Sequence, residues 1–205
     1  MVTELTISGT ESIASYAFTD LDNITKITIS DGVKIIGNYA FYNCDGITEV
    51  SLPASVILVA EGAFENCSSL AKAELGSILG VGLRAFADCT ALTKIVIPDT
   101  ATIVSNEAFS GCTALAEVTL GKAVETIGTS AFLGCKALTK IAIPASVTSI
   151  GAHAFSSCDA LASVTFGATE GWTVKGASVD SAVLADAAKA LLKLLELTDS
   201  EWTRA

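Results

Sequence analysis

Seven Ala-Phe pairs recur along the chain at intervals of 22 or 23 residues, and this period limits the folds that the sequence can adopt. The pairs begin at Ala17, Ala40, Ala63, Ala85, Ala108, Ala131 and Ala154. Three residues after each Phe stands a cysteine in six copies and Leu21 in the first copy. Because seven copies share one spacing, each copy is predicted to form one coil that stacks on the next.

A second pattern within each repeat predicts a short β-strand. Three residues after the cysteine position, an aliphatic residue opens the pattern L-x-x-I-x-I, as in Leu92 to Ile97. Alternating apolar and polar residues, with β-branched residues at the apolar positions, are typical of a strand with one buried face. Pro53, Pro98 and Pro144 directly follow this pattern. They end the strand, because proline cannot donate to a β-ladder.

The Ala-Phe-x-x-Cys segment is predicted to form the opposite side of each coil. Its spacing is helical over about one turn, so we expect a short helical or 3₁₀ segment on the convex side. Gly37, Gly128 and Gly151 suit a corner that needs positive φ or close approach of two backbones. The predicted fold class is an α/β repeat, a leucine-rich-repeat solenoid with a parallel sheet of about eight short strands and a C-terminal helix.

The combined pattern A-F-x-x-C-x-x-L-x-x-I-x-I-P-x-S-V-x-x-I-G resembles the BspA-type leucine-rich repeat of bacterial cell-surface proteins. The resemblance extends from residue 2 to residue 166 or so. It implies a surface or secreted protein that adheres to host matrix proteins or to other cells. It implies no catalytic residues.

The six cysteines admit three interpretations. Their even number permits disulfides, and a metal site is the second alternative. Zinc is disfavoured, because the cysteines never form C-x-x-C and the chain has a single histidine, His153. Stacked coils would hold neighbouring Cβ atoms farther apart than the roughly 3.8 Å that a disulfide prefers. We therefore predict a ladder of buried free thiols that act as small hydrophobic side chains.

The outward positions of the predicted strands form the candidate binding surface, on the concave face that leucine-rich proteins usually use. The first outward position is occupied from coil to coil by Glu4, Lys26, Glu49, Lys72, Lys94, Glu117, Lys140 and Ser163. Opposite charges on adjacent strands attract, so the row is also consistent with a solvated ladder that binds nothing. The face has no Trp, Tyr or Arg anchor, so we expect contacts that are modest singly and strengthened by repetition.

The sequence offers little for catalysis, cofactors or nucleic acid. A lone His153 disfavours His-based acid–base schemes and catalytic triads, and we predict no cofactor and no metal. The net charge is −10, with 12 Lys and Arg residues that form no cluster, so nucleic acid and anionic membranes are disfavoured partners. The chain has no apolar run of transmembrane length, so no membrane insertion is expected.

The repeat stops after Phe166, and the remaining chain has a different pattern. We assign residues 1–175 to the solenoid and 176–205 to a C-terminal helical cap or linker. Asp180 or Ser181 is predicted to cap a helix that runs to Leu197 or so, with an apolar face wide enough for self-association. Because Val2 already matches the strand pattern and a solenoid end needs a polar cap, we expect the chain to be part of a longer protein whose leader was removed.

Two functional hypotheses follow. The first is a non-enzymatic recognition or adhesion module, extracellular or on a bacterial cell surface, that binds host or microbial proteins or glycans. The second is a structural spacer within a larger surface protein.

Overall fold

The computed structural model describes residues 3–175, 177–196 and 199–204. Val2 and Leu197, which the sequence places in the first strand and at the end of the helix, lie outside the described residues.

The first strand of each coil contributes to one parallel face, which we call the front sheet. Its strands are β1 (Glu4–Ile7), β3 (Lys26–Ile29), β5 (Glu49–Ser51), β7 (Lys72–Glu74), β9 (Lys94–Val96), β11 (Glu117–Thr119), β13 (Lys140–Ile143) and β15 (Ser163–Phe166). Side chains alternate as predicted: Lys26 and Thr28 are exposed, whereas Ile27 and Ile29 are buried. The predicted solenoid with parallel strands is confirmed, although the front strands form a six-stranded and a two-stranded sheet where one sheet of about eight strands was predicted.

A second strand in each coil forms a back sheet, which the sequence analysis did not predict. Its parallel strands are β2 (Ser12–Ile13), β4 (Ile35–Ile36), β6 (Leu58–Val59), β8 (Gly80–Val81), β10 (Ile103–Val104), β12 (Thr126–Ile127) and β14 (Ser149–Ile150). Each strand has only two residues, and only its second residue is buried. Such short strands leave no periodicity to detect, because alternation needs at least four residues.

The third side of each coil is a turn, not the predicted helical or 3₁₀ segment. The residue before each Ala and the second residue after each Phe have positive φ, as at Tyr39 (55°) and Asn43 (58°). Two left-handed residues this close together prevent a helix. The amide of Phe41 instead donates to the carbonyl of Ala63 in the next coil, 2.9 Å away. We call this side the turn edge.

Phe and Cys side chains fill the space between the three sides. The Phe rings stack along the solenoid axis, with centroids 5.1 to 5.5 Å apart and interplanar angles of 5° to 13°. All six cysteines are buried and free, in agreement with the predicted ladder of thiols.

The C-terminal segment contains two helices and more strands where one helix was predicted. Asp180 caps α1 (Ser181–Ala185) through its bond with the Ala182 amide. The chain is extended at Asp186, whose carboxylate accepts from two amides at the start of α2 (Ala187–Glu196). The single predicted helix is therefore interrupted, because Asp186 caps a new one.

The helices pack against the last front strand, β15. Leu184, Ala190 and Leu194 are buried there. After α2, strand β18 (Trp202–Arg204) lies antiparallel between β14 and β16 (Trp172–Val174), and β17 (Ala177–Ser178) ends the back sheet. These contacts support a capping role for 176–205, whereas self-association through the helix stays a prediction.

Candidate functional site

The front sheet places the predicted charged residues in a single row. In the strand register, Lys26 lies opposite Glu4 and Glu49, and Lys72 lies opposite Glu49 and Lys94. Lys94 lies opposite Glu117 in turn. These side chains are all exposed to solvent, so the row is accessible.

The charges do not form a continuous ladder, because they pair two by two. Lys26 Nζ lies 3.9 Å from Glu4, Lys72 Nζ lies 2.5 Å from Glu49, and Lys94 Nζ lies 2.9 Å from Glu117. Between these pairs, the described residues show no ion pair across β3 and β5, β7 and β9, or β11 and β13. Lys140 has no ion pair within the described part of the chain.

Backbone pairing in the front sheet follows the same alternation. Strands β1 and β3 pair over four residues, β5 and β7 over three, and β9 and β11 over three. In contrast, β3 and β5 pair at one position, β7 and β9 at one position, and β11 and β13 are not hydrogen-bonded. We call the boundaries between these last three pairs of strands the open junctions. Strands β13 and β15 also pair over four residues, with Lys140 opposite the uncharged Ser163. Within the described residues, the ion pairs of the row therefore occur only between fully paired strands and never at an open junction.

Each open junction coincides with a cleft on the outward face. The first, of about 510 Å³, is lined by Lys26 and Glu49 among others. The second, of about 370 Å³, contains Lys72 and Lys94. The third, of about 550 Å³, has Lys140 on its wall. Of the six predicted site residues, five therefore line a cleft, whereas Glu117 does not.

The third cleft differs from the other two in its lining. Beside Lys140 it includes Leu120, Pro144 and Phe166, which give it an apolar wall. The unpaired ammonium of Lys140 thus lies next to apolar surface. This combination suits a ligand that carries both an anionic group and an apolar one.

Electrostatics in the row are those of exposed ion pairs. Hydrogen bonds from Lys72 and Ser51 lower the pKa of Glu74, and a bond from Lys94 lowers the pKa of Glu117. The hydrogen bonds with Glu49 and Glu74 raise the pKa of Lys72. These groups remain charged at neutral pH, so the row can bind by charge and hydrogen bonds but holds no acid or base tuned for catalysis.

An aromatic and charged cluster lies on the turn edge, where the repeat pattern predicted no site. All three tyrosines of the chain lie together there: Tyr16 and Tyr39 stack with centroids 5.2 Å apart, and Tyr42 meets Tyr39 edge-on. The Tyr39 hydroxyl donates to Glu61 at 2.6 Å, and this bond raises the pKa of Tyr39 to about 12. The signal was in the sequence, since Tyr16 and Tyr39 share the position before Ala in successive repeats.

Next to the tyrosines, Arg84 holds two carboxylates. Its Nε and Nη2 donate to Glu65 Oε1 at 3.1 and 2.7 Å, and its Nη1 donates to Glu107 at 2.7 Å. Glu65 is 6% exposed, and its Oε2 has no hydrogen-bond partner within the described structure. Arg84 therefore compensates a buried charge at the turn edge.

Neither a catalytic group nor a metal centre emerges from the described residues. On the surface, His153 Nδ1 lies 3.4 Å from both Asp199 Oδ1 and Ser156 Oγ. Both contacts use the same ring nitrogen, whereas a catalytic triad needs the serine on one ring nitrogen and the aspartate on the other. In residues 3–175, 177–196 and 199–204, His, Cys, Asp and Glu side chains form no group of three or more that could hold a metal ion. Over the same ranges, the helices are too short or too polar to cross a membrane.

Comparisons with known proteins agree with this architecture. Residues 2–80 and 80–174 match the model of the BspA type leucine rich repeat region, in six copies. A leucine rich cell surface protein from Faecalibacterium prausnitzii has a similar structure, with 32% identity and a TM-score of 0.72 over 88% of this chain and 50% of that one. No curated protein sequence matches the chain.

Two other solved structures are also similar. A leucine-rich repeat protein from Eubacterium ventriosum is 28% identical, with a TM-score of 0.66 over 83% of this chain and 44% of that one. The leucine rich repeat protein of T. pallidum is 26% identical, with a TM-score of 0.67 over 73% of this chain and 71% of that one. The chain thus spans half or less of the first two proteins.

Proposed function

We propose that this chain, which belongs to the BspA-type leucine-rich repeat family, is a non-enzymatic recognition module of a bacterial cell surface. It binds a host or microbial protein or glycan through the outward face of the front sheet. The family indicates a protein-interaction or structural module, and neither the family nor the fold is typically enzymatic. The similar protein from Faecalibacterium prausnitzii is itself described as a cell surface protein.

The periodic clefts of the front sheet are the observation that carries this proposal. Open junctions recur at every second coil, so neighbouring clefts lie roughly 10 Å apart at the usual strand spacing. An extended ligand with regularly spaced groups can occupy several clefts together. Because the charged contacts of the row are exposed and each is weak, affinity arises from repetition and not from one tight anchor.

Lys140 is the front-row cation best placed to hold an anionic group of such a ligand. Lys26, Lys72 and Lys94 already have carboxylate partners, and a ligand must compete with them. Lys140 has no such partner in the described structure, and it lies in the largest of the three clefts, near Phe166. We therefore expect Lys140 to contribute more to binding than any other lysine of the row.

The test is direct binding to immobilised extracellular-matrix proteins and to a glycan array. The experimental variant replaces four lysines of the row with Gln: Lys26, Lys72, Lys94 and Lys140. The control variant removes the same charge elsewhere, at exposed lysines outside the row: Lys122, Lys136, Lys175 and Lys189. Thermal unfolding verifies that both variants fold.

We expect the wild type and the control variant to bind a ligand with equal affinity. The row variant should bind the same ligand at least tenfold more weakly. Equal binding by the two variants would contradict the proposal that the ligand binds to the front sheet. If the wild type binds no protein or glycan, the result would favour the structural spacer. The ion pairs of three of the four lysines are also consistent with a spacer, because those lysines already have partners within the chain.

A further inference from the structure

The outward face of the back sheet carries an apolar patch made of five exposed aliphatic side chains. They are Ile35 (38% exposed), Ile57 (43%), Leu58 (44%), Leu79 (55%) and Ile103 (40%). Nine large apolar side chains are exposed in the described chain, and five of them belong to this patch. An apolar surface gathered in one place in this way marks an interaction site more often than scattered exposed residues do.

The patch contains a cleft because one coil lacks a side chain at its centre. Gly80 lies between Leu58 and Ile103 in the outward row of the back sheet. A Cβ at position 80 would lie 2.6 Å from Cγ2 of Ile103, so Ile103 leans over the glycine. The resulting cleft of about 390 Å³ is lined by Ile57, Leu79 and the residues just named, and it can accept one aliphatic side chain.

Folding does not require these apolar side chains, because later coils adopt the same fold with polar residues at the same positions. In the same outward row, the next two coils carry Thr126 and Ser149. The preceding position, filled by Ile57 and Leu79 in the patch, becomes Glu125 farther along. The inward residues of the back strands are buried in every coil, so the solenoid core is complete without the patch.

Uncompensated carboxylates border the patch. The amide of Glu125 bonds to the carbonyl of Thr102, which places it one coil beyond the patch, and its exposed carboxylate has no ion pair within the described structure. At the turn edge, the Glu61 carboxylate accepts from the Tyr39 hydroxyl and has no ion pair within the described structure. Arg84 is shared by two carboxylates, and Lys34 is already paired with Glu11. The border is therefore negative.

We propose that the apolar patch is a second interaction surface, which takes an aliphatic side chain from a polypeptide partner whose flanking residues are Lys or Arg. The apolar cleft supplies burial, and the acidic border attracts the flanking cations. A second copy of this chain is a poor occupant, because it would bring its own −10 net charge against the same acidic border. This surface is separate from the front sheet, so the inference does not depend on the function proposed above.

The test is a random peptide display library panned on the wild type and on a Leu79→Lys variant in parallel. Leu79 is 55% exposed, so lysine is tolerated there without disturbing the core. The matched control is Thr113→Lys, which adds the same charge at an exposed residue that belongs neither to the front row nor to the apolar patch. The expected result is enrichment of peptides with an aliphatic residue beside Lys or Arg, on the wild type and on Thr113→Lys only.

Affinity of the enriched peptides then separates the apolar and charged parts. We expect Leu79→Lys to weaken binding at least tenfold, and the double variant Glu61→Gln, Glu125→Gln to weaken it severalfold and to reduce its salt dependence. Enrichment of acidic peptides, enrichment that Leu79→Lys does not change, or no enrichment would each overturn the proposal. A wild-type dimer in sedimentation that Leu79→Lys dissociates would assign the patch to a second copy and overturn it as well.

Discussion

The Cys112 thiol donates a hydrogen bond to the carbonyl oxygen of Phe86, 3.1 Å away in the preceding coil. The other cysteines repeat this bond with the Phe of the coil before: Cys44 with Phe18, Cys67 with Phe41, Cys89 with Phe64, Cys135 with Phe109 and Cys158 with Phe132. The thiol is therefore a donor as well as a small hydrophobic side chain. Leu21 occupies the same position in the first described coil and has no thiol to donate.

Substitution of Cys112 tests the contribution of this bond. Cys112→Ala removes the donor and leaves the Phe86 carbonyl with its bond from the Cys89 amide, so we expect a loss of about 0.5–1.5 kcal/mol in the free energy of unfolding. Cys112→Ser keeps a hydroxyl donor and should lose less. Urea denaturation of both variants gives the comparison. If the alanine variant is as stable as the serine variant, the thiol acts through its volume alone.

The buried thiols also predict a dependence of stability on pH. Desolvation raises the pKa of Cys44 to about 11, and it raises the pKa of Cys89 well above its ordinary value. In the unfolded chain these thiols ionise near pH 8.5. The unfolded state therefore loses protons first, and stability that is complete below that pH falls as the pH rises, by about 1.4 kcal/mol per pH unit for each thiol.

Thiol labelling in native and denatured protein is the accompanying measurement. We expect slow labelling of the native protein at pH 8 and close to six reactive thiols per chain in unreduced, denatured protein, since the chain has six cysteines. Fewer than two reactive thiols after denaturation without reductant would contradict the free-thiol ladder.

The sequence predicted the elements that have a period and missed those that do not. Alternation in the L-x-x-I-x-I pattern predicted the front strands and their outward residues, whereas the back strands are too short to show an alternating pattern. The turn edge was misassigned because Ala, Phe and Cys have helical spacing, although Asp20, Asn43, Asn66 and Asp88 favour the left-handed conformation that they adopt. The open junctions depend on how far the backbones of neighbouring strands pair, and spacing along the chain does not encode that pairing.

A comparison of two glycines tests how closely the coils approach. Gly128 has no positive φ, but a Cβ there would lie 2.5 Å from the Asn106 amide nitrogen of the preceding coil. Gly134 has φ +73°, and the nearest contact of a Cβ there would be the Gly111 amide nitrogen at 3.9 Å. We expect Gly134→Ala to cost about 1–2 kcal/mol through backbone strain alone, and Gly128→Ala to cost more because two backbones must separate. Thermal unfolding ranks the two, and the reverse order would show that the coils separate easily.

The Arg84 and Glu65 pair predicts a strongly non-additive double mutant. Arg84→Leu leaves the buried Glu65 carboxylate without its partner, so we expect a loss of about 3–5 kcal/mol in the free energy of unfolding. Adding Glu65→Gln removes the stranded charge and should recover much of that loss. Chemical denaturation of the wild type, both single variants and the double variant measures the coupling. Additive losses would mean that solvent already screens Glu65 from Arg84.

Trp202 tests whether the C-terminal segment caps the solenoid or only links it to something else. It is 1% exposed, pairs with Ile150 of the last parallel back strand, and lies 6.0 Å from the Phe166 ring. Trp202→Ala should therefore cost about 3–5 kcal/mol, and because coils are stabilised by their neighbours, the whole solenoid should unfold at lower denaturant concentration. The control is Thr203→Ala on the exposed face of the same strand, which should change little. If Trp202→Ala lowers only a separate minor transition and leaves the main one in place, residues 176–205 form a linker, because a cap cannot be lost without weakening the coil that it covers.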